Sequence, residues 1–373
     1  LWDIPTRVFH WAIVCALPLA WWTAEEQRYD LHQWIGCTVL VLVSARGQRQ
    51  GVIIGTPPAR DEGQGGLGDV ILHPDFAQNG VIYLSPVEWR GVNSGTVIWR
   101  GRLDLTETGG TLSNLQRIWE QMPFNTGRGH YSQRLAFGRD GFLYVTSGDR
   151  QLMEPAQDRS NTLGTILRLT EDGAPAPGNP FSAEGGVTAQ IWSFGHRNPL
   201  GLAFDGAGRL WEVEMGPRHG DELNLVPPGA NFGYPNVSNG DHYDGRDIPN
   251  HKPGDGYVAP KVFWNPAISP GGMMIYQGAA FPKWKGDAFI GALGGKALVR
   301  VDLNGEQAAK GDLNDLRAQG DATGLHGLPT AAGQLHLQPG DVLRLVPEGL
   351  GHAAGEGGAA DKAHPATIAC TLP

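Results

Sequence analysis

Arg197 stands in a polar triplet, His196-Arg197-Asn198, just before a strand-like run at 201–204, and a second run at 209–213 is followed by Gly216-Pro217 and Asp221-Glu222. Polar clusters at strand ends fall in loops, where functional groups are usually displayed. The Arg197 guanidinium offers a fixed fork of donors suited to a carboxylate or quinone oxygen. The Gly216 and Pro217 carbonyls and the Asp221 and Glu222 carboxylates are hard oxygen donors of the kind calcium takes, and equally the ordinary composition of a solvated turn. An anionic, oxygen-rich small molecule bridged by a cation suits the whole set. Upstream, His130 in GRGHYSQR comes just before one strand-like run and Asp149 in TSGDR just after the next. A histidine and a carboxylate at neighbouring strand ends can hydrogen-bond, which orients the imidazole as a general base on a hydroxyl. Taken alone, His130 is as readily a loop histidine with its bonds satisfied.

The elements that must hold these loops repeat. EGQGGLGDVILHPDFAQNGVIYLS, from Glu62, is a Gly-rich loop and two short strands joined through an Asn79-Gly80 turn. The unit returns as RLAFGRDGFLYVTSGD at 134–149, as GLAFDGAGRLWEVEMG at 201–216 and more loosely as MMIYQGAAFPKWKGDAFIGAL at 273–293. A polar loop follows each second strand, a recurrence that a β-sandwich does not explain and four-stranded propeller blades do. The fold expected is all-β, a six-bladed β-propeller over 51–348 with its first blade incomplete, and the chemistry is expected where the loops converge on the central channel. Composition agrees: 373 residues with 55 Gly, 27 Pro and 18% charged residues are rich in turns and poor in long-helix material. A net charge of -9 speaks against a nucleic-acid partner and is compatible with small neutral substrates. Cys15, Cys37 and Cys370 have neither CxxC nor metal spacing, so neither a disulfide framework nor a cysteine zinc site is indicated, and no CxxCH exists for an attached c-type haem.

The two ends differ from the middle. Residues 1–50 carry two apolar runs, 8–22 and 31–45, each near the lower limit for a membrane helix, with Trp2, Trp11, Trp21, Trp22 and Trp34 at their ends as at a bilayer interface. This predicts an N-terminal apolar helical segment with membrane association through 8–22. The tail, 349–373, is Gly/Ala-rich without periodicity and reads as an irregular extension.

Two resemblances sharpen the reading. GHRNPLGLAFD followed by WEVEMGPRHGDELNL resembles the glucose/sorbosone dehydrogenase family, soluble pyrroloquinoline quinone (PQQ) enzymes, over about 51–348. That resemblance implies PQQ and calcium as cofactors, a small sugar as substrate, an external electron acceptor, and oxidation of the sugar's anomeric hydroxyl with hydride passing to PQQ. It implies His130 as the base beside Asp149, cofactor contacts from Gln64, Arg197, Asn198, Gly216 and Pro217, calcium on the Gly216 and Pro217 carbonyls, and a second calcium at Asp221 and Glu222. Three departures stand out: the family's opening strand pair is missing before Gly51, Leu200 fills a position commonly held by Gln, and Asp312 and Asn314 stand where arginines would grip the PQQ carboxylates. Asp312 and Asn314 favour one alternative, a non-catalytic calcium-stabilised scaffold, and the abrupt junction from Arg46 to Gly51 another, a chimeric chain without activity.

At the N-terminus, WDIPTRVFHW and DLHQWIG resemble the opening of the small four-helix bacterial cytochromes b over 1–46, which implies His10 and His32 as haem ligands; lone histidines on apolar segments are otherwise structural. Family members act outside the cytoplasmic membrane. If only the first apolar run inserts, with Arg7 inside and Glu25-Glu26 outside, the propeller is periplasmic behind a single anchor.

Overall fold

The computed structural model describes residues 52–311, except 61, 107–108, 279–280 and 295–296, together with Leu343–Arg344 and Ala369–Cys370. The apolar runs at 8–22 and 31–45, His10, His32, Asp312 and Asn314 lie outside the described residues. Among the described residues no helix is long and apolar enough to cross a membrane. Nearly all of them belong to one compact unit, Ile54–Asp104 with Thr111–Pro373.

After a short strand β1 (Val52–Ile54), the chain builds antiparallel sheets from consecutive strands. The first contains β2 (Leu67–Leu72), β3 (Val81–Arg90), β4 (Asn93–Thr106) and β5 (Gly109–Glu120). The second contains β6 (Ser132–Phe137), β7 (Leu143–Ser147), β8 (Thr165–Leu169) and β9 (Ile191–Phe194). The third contains β10 (Pro199–Phe204), β11 (Leu210–Glu214), β12 (Asp221–Leu225) and β13 (Val262–Trp264), and the fourth β14 (Pro270–Ile275), β15 (Ala288–Ala292), β16 (Ala297–Asn304) and β17 (Gln307–Lys310). The four repeats seen in the sequence are the first two strands of these sheets. Among the described residues only short helical turns interrupt the β-structure, so the all-β expectation holds for them, and sheets of this form are consistent with a β-propeller. Two further strands, β18 (Leu343–Arg344) and β19 (Ala369–Cys370), pair antiparallel, which puts a strand inside the tail expected to be irregular.

Middle strands such as LYVTS, TILRL and LWEVE are buried at every residue because the second and third sheets, which hold them, have a packed sheet on each face. Tyr83, Ile98 and Trp119 of the first sheet pack with Leu135, Val145 and Leu167 of the second. Tyr144 and Ile166 of the second pack with Leu202 and Leu210 of the third, and Trp211 and Val213 of the third with Ile275 and Ile290 of the fourth.

The first strand of each sheet also packs on the next: β2 on β6, β6 on β10, β10 on β14. Arg134, in β6, ties them together. Its guanidinium donates to the carbonyls of Leu200 (2.7 Å), Gly68 (3.1 Å) and Gly271 (2.7 Å), one on each of the other three sheets. Each of these strands carries a register shift near its start, between Leu67 and Val70, Ser132 and Leu135, Pro199 and Gly201, and Pro270 and Gly272. Bulges turn the chain and re-aim side chains, and here they lie beside the loops that carry the polar clusters.

One local reading needs correction. Asn79-Gly80 is not a two-residue hairpin turn: Phe76–Asn79 forms a helical turn, and Gly80, at φ 66°, closes it by donating its N–H to the Phe76 carbonyl. The left-handed conformation that favours Asn-Gly in hairpins serves equally to end a helix.

Candidate active site

His130 lies between Gly129 and β6 with a left-handed backbone, φ 48°, and Ser132 and Gln133 follow at 62° and 71°. Such conformations are costly away from glycine and persist where their surroundings enforce them. Here the enforcing group is Arg150. Fully buried, it donates to the carbonyls of Gly129 (2.9 Å), Ser94 (2.7 Å) and Gly127 and to Gln121 Oε1 (3.0 Å), with its guanidinium 3.7 Å from the centre of the Tyr131 ring. Gln64 holds the loop from the first sheet: its Oε1 accepts the His130 backbone N–H at 2.7 Å, and its own N–H donates to the Arg128 carbonyl.

The His130 imidazole is buried with Nδ1 at 2.6 Å from Asp149 Oδ1. Asp149 also accepts the backbone N–H groups of Gln151 (3.0 Å) and Met153 (3.1 Å). Burial alone would raise the Asp149 pKa, but the charge and hydrogen bond of His130, with Arg197 behind them, outweigh it and hold the carboxyl below its ordinary value. Asp149 therefore remains an anion that fixes Nδ1, and proton chemistry at this imidazole falls to Nε2.

Arg197 and Asn198 fill the turn between β9 and β10. The Asp149 N–H donates to the Arg197 carbonyl at 2.9 Å, joining the loops of two sheets. Glu214, the last residue of β11, clamps the turn: its carboxylate accepts the backbone N–H groups of Arg197 (2.6 Å) and Asn198 (3.1 Å) and faces His196 Nδ1 at 3.2 Å. The Arg197 guanidinium donates to the carbonyls of Met215 (3.1 Å) and Gly216 (2.5 Å), and its buried Nε has no hydrogen-bond partner. The exposed Tyr243 brings its hydroxyl to 3.5 Å from Arg197 Nη2. Asn198 accepts from Ser132 Oγ at 3.1 Å, which returns the network to the His130 loop. His130, Asp149, Gln64, Arg197, Asn198 and Gly216 thus form one connected group, with Pro217 buried next to it.

Asp221 and Glu222 are placed otherwise than expected. Both are buried and belong to β12 rather than to a loop. Asp221 Oδ1 accepts the Gly216 N–H at 3.0 Å and Oδ2 those of Ile268 and Ser269, each at 2.7 Å, so the carboxylate ties two loops together through amides. Glu222 pairs across the sheet with Glu214. Burial, then the charges of Glu214 and Glu212, push the Glu222 carboxyl well above its ordinary pKa. A cavity of about 10 Å³, the room of a single water, is lined by Glu214, Glu222, Arg197 and Ser238.

Sequence reasoning passed over Glu212 and Glu214, whose signal was the alternation in WEVE: two carboxylates on one face of a strand that is otherwise apolar. Arg134 and Arg150 gave no signal, since their value lies in carbonyls contributed by distant loops.

The chain matches the family described as Glucose / Sorbosone dehydrogenase over residues 37–319. The match begins inside the stretch read as cytochrome-like, and the resemblance of 1–46 to cytochromes b gains no support from it. The chain is similar to "Aldose sugar dehydrogenase YliI" of Escherichia coli (strain K12), 37% identical over 263 residues, covering 69% of this chain and 70% of that protein. Among solved structures it is similar to the apo form of the soluble aldose sugar dehydrogenase from Escherichia coli, with 36% identity and a TM-score of 0.66 over 70% of this chain and 77% of that one. It is also similar to the PQQ-bound form of an aldose sugar dehydrogenase from Streptomyces coelicolor, with 31% identity and a TM-score of 0.56 over 70% and 69%.

Proposed function

The chain belongs to the glucose/sorbosone dehydrogenase family, and from that premise we propose that it is a quinoprotein that oxidises the anomeric hydroxyl of an aldose sugar to the lactone, PQQ supplying the two-electron acceptor when bound. The observation that carries the reading is the His130–Asp149 pair, buried and 2.6 Å apart, joined through the Asp149 N–H to the Arg197 carbonyl. A base must reach the hydroxyl it deprotonates with one nitrogen while the other is held. Asp149 holds Nδ1, so His130 Nε2 takes the sugar's hydroxyl proton, and the Asp149 charge stabilises the imidazolium that results. Gln64 and Arg150 keep the imidazole from following its strained backbone elsewhere.

The chain's own donors fit an anionic quinone in part. Arg197 presents a buried, unpartnered Nε, and such an orphaned donor is costly unless a ligand acceptor completes it. Gln64 and Asn198 are tied to the His130 loop, Gln64 accepting the His130 N–H and Asn198 accepting from Ser132 Oγ. Calcium would be held by the hard carbonyl oxygens of Gly216 and Pro217; the Gly216 oxygen already accepts from Arg197 and keeps a second lone pair. At Asp221, Oδ1 accepts one amide and Oδ2 two, so a second calcium there would share, through Oδ1, a carboxylate already tying two loops together. We place the site in a six-bladed, first-blade-incomplete propeller on the periplasmic side of the membrane, passing electrons to an external acceptor.

A second reading, a non-catalytic scaffold, is favoured by Asp312 and Asn314, which stand where the family's arginines would neutralise PQQ carboxylates. Incubating the purified chain with PQQ and calcium and following glucose-dependent reduction of an artificial acceptor separates the two. Turnover supports the dehydrogenase; a folded, calcium-stabilised chain that neither binds PQQ nor turns over any aldose supports the scaffold.

A further inference from the structure

His196, Glu212 and Glu214 bring one ligand atom each to within 4.8 Å of one another, and all three residues are buried. Glu222 adds a third carboxylate, and among the described residues no Lys or Arg forms an ion pair with any of the three. Three buried carboxyls beside one imidazole must take up protons or a cation, because unpaired charge away from water is costly. A second observation points to that cation: Glu212 Oε2 is buried and has no hydrogen-bond partner, while Oε1 accepts from Asn224 at 2.7 Å.

The spacing selects among cations. His196 Nδ1 lies 3.2 Å from Glu214 Oε1 and 3.6 Å from Glu212 Oε1. Tetrahedral coordination with bonds of about 2.1 Å puts ligand atoms about 3.4 Å apart, midway between these values. Calcium takes six to eight oxygens at longer range and has no preference for imidazole. The other ring nitrogen, Nε2, is 2.8 Å from Ser193 Oγ, the outer-sphere bond that fixes the ring of a metal-bound histidine.

We propose that His196, Glu212 and Glu214 bind one divalent transition-metal ion, zinc being the best match, separate from the carbonyl site at Gly216 and Pro217. The ion displaces the proton from Nδ1 and neutralises the carboxylates. Because Glu214 Oε2 holds the backbone N–H groups of Arg197 and Asn198, the ion braces the turn that presents both side chains. The proposal does not depend on the sugar reading.

The test uses the full chain, stripped with a chelator and dialysed against zinc with calcium in excess. One zinc per chain by mass spectrometry is expected, together with the strong visible absorption of four-coordinate cobalt when cobalt replaces zinc. Glu212→Gln should weaken zinc by more than the roughly 10- to 100-fold that loss of an outer-sphere partner causes. Absence of bound zinc and cobalt, or zinc held equally well by a natively folded Glu212→Gln variant, overturns the proposal. Should that variant not fold, the wild-type cobalt spectrum decides: four-coordinate bands support the site, and their absence refutes it.

Discussion

Asp149 donates its backbone N–H to the carbonyl of Arg197 across 2.9 Å, while its side chain holds His130 Nδ1 at 2.6 Å. One residue thereby sets the distance between the proposed base, carried by the second sheet, and the proposed cofactor-binding cation at the entry to the third. Displacing Asp149 misplaces both at once.

His130→Gln removes the base while leaving a side chain of similar reach. In PQQ-loaded protein, kcat on an aldose should fall by about 10²- to 10⁴-fold, the usual contribution of a general base, with PQQ affinity little changed. Stopped-flow reduction of the loaded protein checks this, and a near-native rate would remove His130 from the chemistry.

Asp149→Asn should show in stability against pH. The folded carboxyl titrates below its ordinary 3.8, since His130 and Arg197 outweigh the effect of burial. A carboxyl of lowered folded pKa contributes stability that is fully present above its unfolded pKa and is lost as pH falls through the folded value. Urea unfolding of the wild type should therefore weaken below about pH 4, and that part of the slope should be missing from the variant. Identical slopes in the two proteins would show that the carboxylate is not ionised as described.

Arg197→Lys keeps the charge and loses the fork. A compact ammonium has donors enough but no planar fork, so it does not span the Met215 and Gly216 carbonyls and a ligand acceptor in the guanidinium's geometry. PQQ binding, followed by fluorescence titration, should weaken by about 10- to 100-fold, equivalent to about 1.4–2.8 kcal/mol. Unchanged affinity would place the cofactor elsewhere.

Asp221→Asn places an amide NH₂ against backbone N–H groups that now have a carboxylate. With three buried bonds at 2.7–3.0 Å disturbed, the variant should lose about 2–4 kcal/mol of stability, by the usual worth of bonds to a charged acceptor. The loss should be the same with calcium or with a calcium chelator. A loss seen only with calcium present would make Asp221 a ligand after all.

Much of this was open to reading in the linear order of residues. Strand-turn-strand repeats show in sequence because alternation and turn residues are local properties, and the sheets follow them closely. His130, Asp149, Arg197 and Gly216 were legible because each lies within a few residues of a strand end. The burial of Asp221 and Glu222 was not legible: Gly-Pro and Asp-Glu have the same composition in a solvated turn and in β12. What decides between them is whether amides from 268 and 269, far along the chain, arrive to occupy Asp221. The same holds for Arg134, whose three carbonyl partners come from three other sheets, and for Glu214, an anion in an apolar strand until the turn at 196–198 folds back over it. The sequence by itself determined the repeat, the loops that carry His130 and Arg197, and the chemical types of the site. Only the tertiary structure decided which polar atoms meet, because a buried donor or acceptor is satisfied by whatever the closing sheets bring within about 3 Å, and that partner has no fixed separation along the chain.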